Sequence, residues 1–262
     1  MKVLINWFKE LLTLKKWRLY YEIQRYRQIT SLKQNLKHDE YGDILKQLDE
    51  DGIVVIEDFM KKEDCDNIIK DLDIIFNQIK NGEFKGPFQY DNDKLIRIGD
   101  LSDHVPSTNL FYDNPMFDKL AKAYVDPKAY SYRREAELRD NVKTFQQADI
   151  PHIDDWRMRF KYFLYLTDVG PDNAPFTYYK NTHKDEAWKY DKNYEYERDG
   201  EFGAYGHFHP QELVKLRQSR KVEELTCTGK AGTLIIADFR GIHKGSVLKS
   251  GRRIILNSTY GI

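Results

Sequence analysis

The stretch Pro151-His152-Ile153-Asp154-Asp155 runs into Arg159-Phe160-Lys161-Tyr162-Phe163-Leu164-Tyr165-Leu166, a short run rich in aromatic and aliphatic residues. Such a run reads as a strand. In extended chain, residues two apart share a face, so His152 and Asp154 present an imidazole and a carboxylate to the same side. Two ligands do not complete a metal site. A third is offered by Gly232-Thr233-Leu234-Ile235-Ile236-Ala237-Asp238-Phe239-Arg240-Gly241-Ile242-His243, a buried-strand pattern that ends in a glycine-containing turn and a histidine. Two histidines and one carboxylate form a facial triad that leaves three positions open on Fe(II), enough for a bidentate co-substrate and O2.

Downstream of His243 lies Ser250-Gly251-Arg252-Arg253-Ile254-Ile255-Leu256. A strand that starts there can return beside the metal and aim a guanidinium at the far carboxylate of 2-oxoglutarate, a planar bidentate match that lysine cannot reproduce. Arg253 is the preferred anchor and Arg252 the alternative, because adjacent strand residues cannot both face inward. Around these segments the spacing predicts a helix over 44–49, a strand over 52–56 and a helix over 62–80 that stops at Asn81-Gly82. Further strands are predicted over Lys94–Ile98, Asn141–Gln147, Arg159–Leu166, Phe176–Tyr179, Thr233–Ala237 and Arg253–Tyr260, with a short helix over Pro115–Tyr124. Residues 184–222, polar and rich in Lys, Glu and Tyr, read as an insertion between strands, a common form of lid or binding loop.

Taken in order, these segments resemble the phytanoyl-CoA dioxygenase family of Fe(II)/2-oxoglutarate-dependent oxygenases. The resemblance covers most of residues 45–262. It is carried by Asp51-Gly52-Ile53-Val54-Val55-Ile56-Glu57-Asp58-Phe59, by His152-Ile153-Asp154 with Phe163 to Val169, by Asp172-Asn173-Ala174-Pro175-Phe176 with Asn181-Thr182-His183-Lys184, and by Gly232 through His243 to Arg253. It implies an α+β fold with a mainly β core, a double-stranded β-helix of the jelly-roll or cupin type with flanking helices. It also implies His152, Asp154 and His243 as iron ligands, Arg253 as the 2-oxoglutarate anchor, and O2-dependent hydroxylation of a small molecule with release of succinate and CO2. Asp154 fills the position that chlorinating relatives leave to a small residue, which favours hydroxylation. Two loops depart from the family. Where relatives often have Asn-Gly-Pro and Pro-Gly-Ser-His, this chain has Asn173-Ala174-Pro175 and Lys180-Asn181-Thr182-His183, and the small polar residue after the distal histidine is Ser246.

Composition bounds the rest. The 262 residues carry 42 Lys+Arg and 42 Asp+Glu, so the net charge of zero calls for no polyanionic partner and none of nucleic-acid type. Charge is unevenly placed: residues 1–37 hold nine basic and two acidic residues. With Leu4, Phe8, Leu11, Leu12, Leu19, Ile23 and Tyr26 at helical spacing, residues 1–40 read as a basic amphipathic helical extension ahead of an oxygenase domain over 41–262. That extension is either packed on the body with a solvated basic face or a peripheral membrane contact through residues 1–37. In the second case a non-catalytic β-helix module recruited to a membrane is the rival to an enzyme. A third reading is an oxygenase that dispenses with 2-oxoglutarate. Only Cys65 and Cys227 are present, without metal-ligand spacing, which points to a reducing compartment such as the cytoplasm. Walker-type phosphate loops, dinucleotide-binding glycine fingerprints and nucleophile elbows are all absent from the sequence. His207-Phe208-His209 repeats the two-residue spacing but has no third ligand in its pattern; His38 and His104 stand alone, His183 reads as a hydrogen-bonding loop residue, and Asp155 as a solvated or supporting carboxylate.

Overall fold

The computed structural model describes residues 41–91, 95–140, 145, 147–154, 159–184 and 206–262. The basic extension over 1–40, most of the predicted strand Asn141–Gln147, Asp155 and residues 185–205 lie outside them. In chain order the elements are α1 (Gly42–Asp51), β1 (Ile53–Ile56), α2 (Lys62–Lys80), β2 (Phe88–Asp91), β3 (Leu95–Gly99), α3 (Leu101–His104), α4 (Asn109–Tyr112), α5 (Pro115–Tyr124) and β4 (Tyr130–Arg139). They continue with β5 (Phe160–Tyr165), β6 (Phe176–Tyr179), α6 (Pro210–Ser219), β7 (Glu224–Cys227), β8 (Leu234–Asp238), β9 (His243–Lys244) and β10 (Arg253–Gly261). The helices over 62–80 and 115–124 fall where the periodicity places them, and the strands of the metal-site segments shift by a residue or two at their ends.

Two antiparallel sheets make the core. The larger runs β1-β8-β5-β10-β4-β3-β2 and the smaller β7-β6-β9. Strand alternation gives the larger sheet two different faces. On one, Val54, Ile96, Ile98, Ala136, Leu138, Phe160, Tyr162, Leu164, Leu234, Ile236, Ile254 and Leu256 join the buried helical residues Ile68, Leu72, Phe76, Phe111, Phe117 and Leu120 in a single apolar cluster. On the other, Ile53, Tyr165, Ile235, Ala237 and Ile255 meet Phe176, Tyr178, Cys227 and Phe239 in a second cluster. Helices therefore cover the outer face of the larger sheet, and the smaller sheet covers part of its inner face.

Helix α2 shows how the layers are joined. Its Cys65, Ile68, Leu72, Phe76 and Ile79 are buried at helical spacing, while Glu63 and Asp64 in the first turn and Lys80 in the last complement the helix dipole. The turn into β8 depends on Gly232, whose φ is +94° and whose added Cβ would stand 2.0 Å from the carbonyl oxygen of Met60. Only glycine fits that approach.

Seven elements escape the sequence reading: β2, β4, β7, β9, α3, α4 and α6. The described part of the predicted strand 141–147 corrects that expectation, since Gln147–Asp149 is a turn of 3-10 helix. Strand β4 lies just upstream, and its alternation is unusual. Arg133, Glu135, Glu137 and Arg139 line the cavity between the sheets while Ala136 and Leu138 face the helices. Helix α6 occupies part of the 184–222 insertion, with Pro210 in its first turn and a reciprocal cap between His209 and Glu212.

Candidate metal centre

His152 and Asp154 are presented as the two-residue spacing requires. Ile153, between them, points the other way into a small apolar cluster with Tyr179, Phe208 and Ile242. The segment is held to β9 by a pair of backbone bonds, His152 N to His243 O and His243 N to His152 O, each 2.9 Å. This bridge extends the smaller sheet by one position. It places residues 91 apart in sequence side by side, with ring centroids 4.4 Å apart.

The turn that delivers His243 is braced from several sides. Asp238 is wholly buried, accepts from Arg240 Nε and Nη2, and receives a 3.0 Å hydrogen bond from Tyr124 Oη. Tyr178 Oη donates to the Asp238 carbonyl at 2.8 Å, and Ile242 N donates to Thr182 Oγ1 at 2.8 Å. None of these supports was assigned from the sequence, and those from Tyr124, Tyr178 and Thr182 join residues 60 or more apart along the chain.

One potential ligand atom from each of His152, Asp154 and His243 lies within 4.8 Å of the others, and among the described residues no further group of three such side chains is found. Asp154 Oδ1 stands 3.3 Å from His243 Nε2 and 3.5 Å from His152 Nε2. Both imidazoles have Nδ1 against a backbone carbonyl, Ile150 O at 2.7 Å and Gly241 O at 2.9 Å. Carbonyls only accept, so Nδ1 carries the proton and each Nε2 turns a lone pair toward Asp154. Burial, reinforced by His152, lowers the His243 imidazole to about 4, so the ring is neutral at physiological pH. Burial of Asp154 works against its charge, but the Lys161 ammonium beside it prevails and holds the carboxyl well below the usual range. Two imidazoles with their Nε2 atoms turned inward and one ionised carboxylate, all convergent, are a donor set that fits a divalent transition metal.

A cavity of about 210 Å³ opens from this point between the sheets. Arg253 lies on its wall, 4% exposed, bonded through Nη1 to the Ala174 carbonyl and through Nη2 to Glu137 Oε1. Its Nε has no partner among the described residues. Arg252 faces the opposite way and pairs with Asp73 of α2 at 2.7 Å. Glu137 gathers three guanidinium groups, from Arg253, from Arg139 at 3.1 Å and from Arg97 at 2.8 Å. Burial raises the Glu137 carboxyl, yet the charges of Arg139, Arg253 and Arg97 outweigh it and leave it far below the ordinary carboxylate value. Burial, then Arg139, lower the Arg253 guanidinium, against Glu137, which raises it. Of β5, Lys161, Phe163 and Tyr165 line the cavity, while Tyr162 stacks on Phe117 on the helical side.

The remaining histidines among the described residues take structural places. His209 caps α6, Phe208 packs behind Ile153, and the His207 ring meets His152 edge-on at 6.0 Å. His183 Nε2 lies 3.1 Å from the Asp49 carbonyl, and His104 is exposed with its ring against Phe84. Ser246 contributes its backbone carbonyl to Arg139 at 2.9 Å. Glu137, Arg139 and Lys161 went unassigned in the sequence. Lys161 had left a signal, as the one charged residue inside an otherwise apolar run.

Solved structures share this architecture at low identity. EctD from S. alaskensis, crystallised with 2-oxoglutarate and 5-hydroxyectoine, aligns with a TM-score of 0.61 and 15% identity over 84% of this chain and 75% of its own. HygX from Streptomyces hygroscopicus, with nickel and 2-oxoglutarate bound, gives 0.58 and 13% over 86% and 87%. The α-ketoglutarate-dependent carbocyclase SnoK of nogalamycin biosynthesis gives 0.58 and 14% over 87% and 85%. No curated protein sequence matches the chain. The family model described as phytanoyl-CoA dioxygenase matches residues 48–254, which takes in all the strands of both sheets except most of β10, and the chain accordingly belongs to the phytanoyl-CoA dioxygenase family.

Proposed function

We propose that this protein is an Fe(II)- and 2-oxoglutarate-dependent dioxygenase that hydroxylates a small molecule and releases succinate and CO2. His152, Asp154 and His243 hold the metal, and Arg253 holds the far carboxylate of the co-substrate. The observation that carries this reading is the convergence of two proton-locked imidazoles and one ionised carboxylate within 4.8 Å. The unpartnered Nε of buried Arg253 supports the anchor, because a buried N–H without an acceptor is costly until an oxygen meets it. The charge of the wall agrees. Arg97, Arg133, Arg139, Arg159, Lys161 and Arg253 face Glu135, Glu137 and Asp154, six cations against three carboxylates, which suits a dianion.

When bound, the iron and 2-oxoglutarate supply the oxidising chemistry, and the chain's part is to bind, orient and exclude. The carbonyls of Ile150 and Gly241 fix the tautomers, so no proton must leave Nε2 before a metal binds. Phe163, Phe176 and Phe239 pack as a group beside His243 and keep water from that side of the centre. A carboxylate at position 154 completes the ligand set, which favours hydroxylation over halogenation. Product analysis matters because a structural neighbour is a carbocyclase.

The test is direct. Anaerobic addition of Fe(II) and 2-oxoglutarate should produce a weak visible charge-transfer absorption, and O2 should then yield succinate. Alanine in place of His152, Asp154 or His243 should abolish both; full turnover by all three variants would sink the assignment. The family membership and the charged cavity wall count against a purely non-catalytic module. The peripheral membrane contact rests on residues 1–37 alone, and binding of the full chain to anionic vesicles tests it. Among the described residues no helix is long and apolar enough to cross a membrane.

A further inference from the structure

The two oxygens of Asp154 have different neighbours. Oδ1 faces the imidazole nitrogens at 3.3 and 3.5 Å, whereas Oδ2 is taken by the Lys161 ammonium at 2.6 Å. Lys161 stands on the cavity face of β5, and its side chain is one-fifth exposed. Its Nζ lies 4.0 Å from the ring centroid of Phe239, and that ring packs on His243 at 4.1 Å. The ammonium is thus held between a carboxylate and an aromatic face. Among the described residues Asp154 is its only ion-pair partner. A structural lysine with no bearing on the site would point its charge to solvent, as long cationic side chains do when they can.

We propose that Lys161 is a positioning residue that reserves Oδ2 of Asp154, so that Asp154 meets the metal through Oδ1 alone. This rests on the metal-centre reading above. A carboxylate is able to bind a metal through one oxygen or two. Through two, Asp154 would occupy one of the three positions that a facial triad leaves for co-substrate and O2. The ammonium prevents this by hydrogen bonding and by charge, and it does so from a rigid strand rather than a loop. The role is one of denticity, and it differs from simple support. Support, when lost, weakens metal binding, typically by about 10- to 100-fold. Loss of the reserved oxygen instead leaves the metal bound at least as tightly and weakens the co-substrate.

The experiment uses the full chain with Co(II), whose d–d absorption reports coordination without turnover. Lys161→Met keeps the apolar stem over Phe239 and removes the ammonium; Lys161→Arg keeps the charge. Lys161→Met should bind Co(II) as tightly as the wild type or tighter, with an altered d–d spectrum, and should bind 2-oxoglutarate to the Co(II)-loaded protein about tenfold more weakly, while Lys161→Arg restores both. Unchanged 2-oxoglutarate affinity in Lys161→Met overturns the proposal, and so does weakened Co(II) binding, which marks a merely supporting role. A wild-type chain that takes up no Co(II) overturns the metal-centre reading as well, and is seen before either variant is made.

Discussion

Ala174 occupies the left-handed backbone region with φ of 56°, and Asn181 does the same with φ of 63°. These are the two positions where relatives often have glycine. The left-handed conformation costs an ordinary L-residue about 1–2 kcal/mol, and asparagine tolerates it better than alanine does. Asn181 is therefore a mild exchange and Ala174 a strained one. The strain persists because Ala174 is fully buried, its carbonyl accepts from Arg253, and the neighbouring Asn173 amide is tied to the Ser250 carbonyl at 2.9 Å. Ala174→Gly should raise stability by about 1 kcal/mol in chemical denaturation, the released strain exceeding the entropy glycine adds to the unfolded chain. A destabilised Ala174→Gly would mean that the methyl packing outweighs the backbone term.

Among the elements, β4 carries the largest surprise. Its inward residues Arg133, Glu135, Glu137 and Arg139 are charged and only Ala136 and Leu138 join the helix-side core, so no apolar inner face announces the strand. Glu137 is what makes that face tolerable. It ties β3, β4 and β10 together through Arg97, Arg139 and Arg253. Removing one partner of a buried ionic cluster leaves the others uncompensated, so Glu137→Gln should cost about 3 kcal/mol at pH 7. The pH dependence has a definite sign. A carboxyl whose folded value lies far below its ordinary 4.5 stabilises the fold above 4.5, and that contribution is lost as pH falls, because the unfolded chain takes up the proton first. The gap between wild type and Glu137→Gln, measured by denaturation at several pH values, should shrink steadily below about pH 4.5; a constant gap would place the cost in packing rather than charge.

At the scale of the molecule, the candidate centre ties together two stretches of chain that are distant in sequence. His152 and Asp154 come from the segment before β5 and His243 from β9, two stretches of backbone 91 residues apart in sequence that meet beside the cavity. A ligand that binds the folded state alone stabilises it by RT ln(1 + [L]/Kd), about 2.7 kcal/mol at a hundredfold excess over Kd. Thermal unfolding should accordingly shift upward with Fe(II), Co(II) or Ni(II), return to its starting point with a chelator, and show no shift when His152 and His243 are both alanine. An equal shift in that double variant would place the bound metal elsewhere. Much of this architecture was legible in the residues. Local spacing sets which strand residues share a face, so His152 paired with Asp154, the buried run before His243, and the helices over 62–80 and 115–124 could be read directly. What periodicity leaves open is which face of a strand turns inward and which distant strand lies beside it, since both are decided by long-range pairing. The register of β10 between β4 and β5 turned Arg253 into the cavity and sent Arg252 to Asp73 on α2. Tertiary folding likewise turned the chain at Asp154 so that its carboxylate meets Lys161, and it brought Arg97 and Arg253, 40 and 116 residues away in sequence, onto Glu137 beside Arg139, contacts that no local pattern specifies.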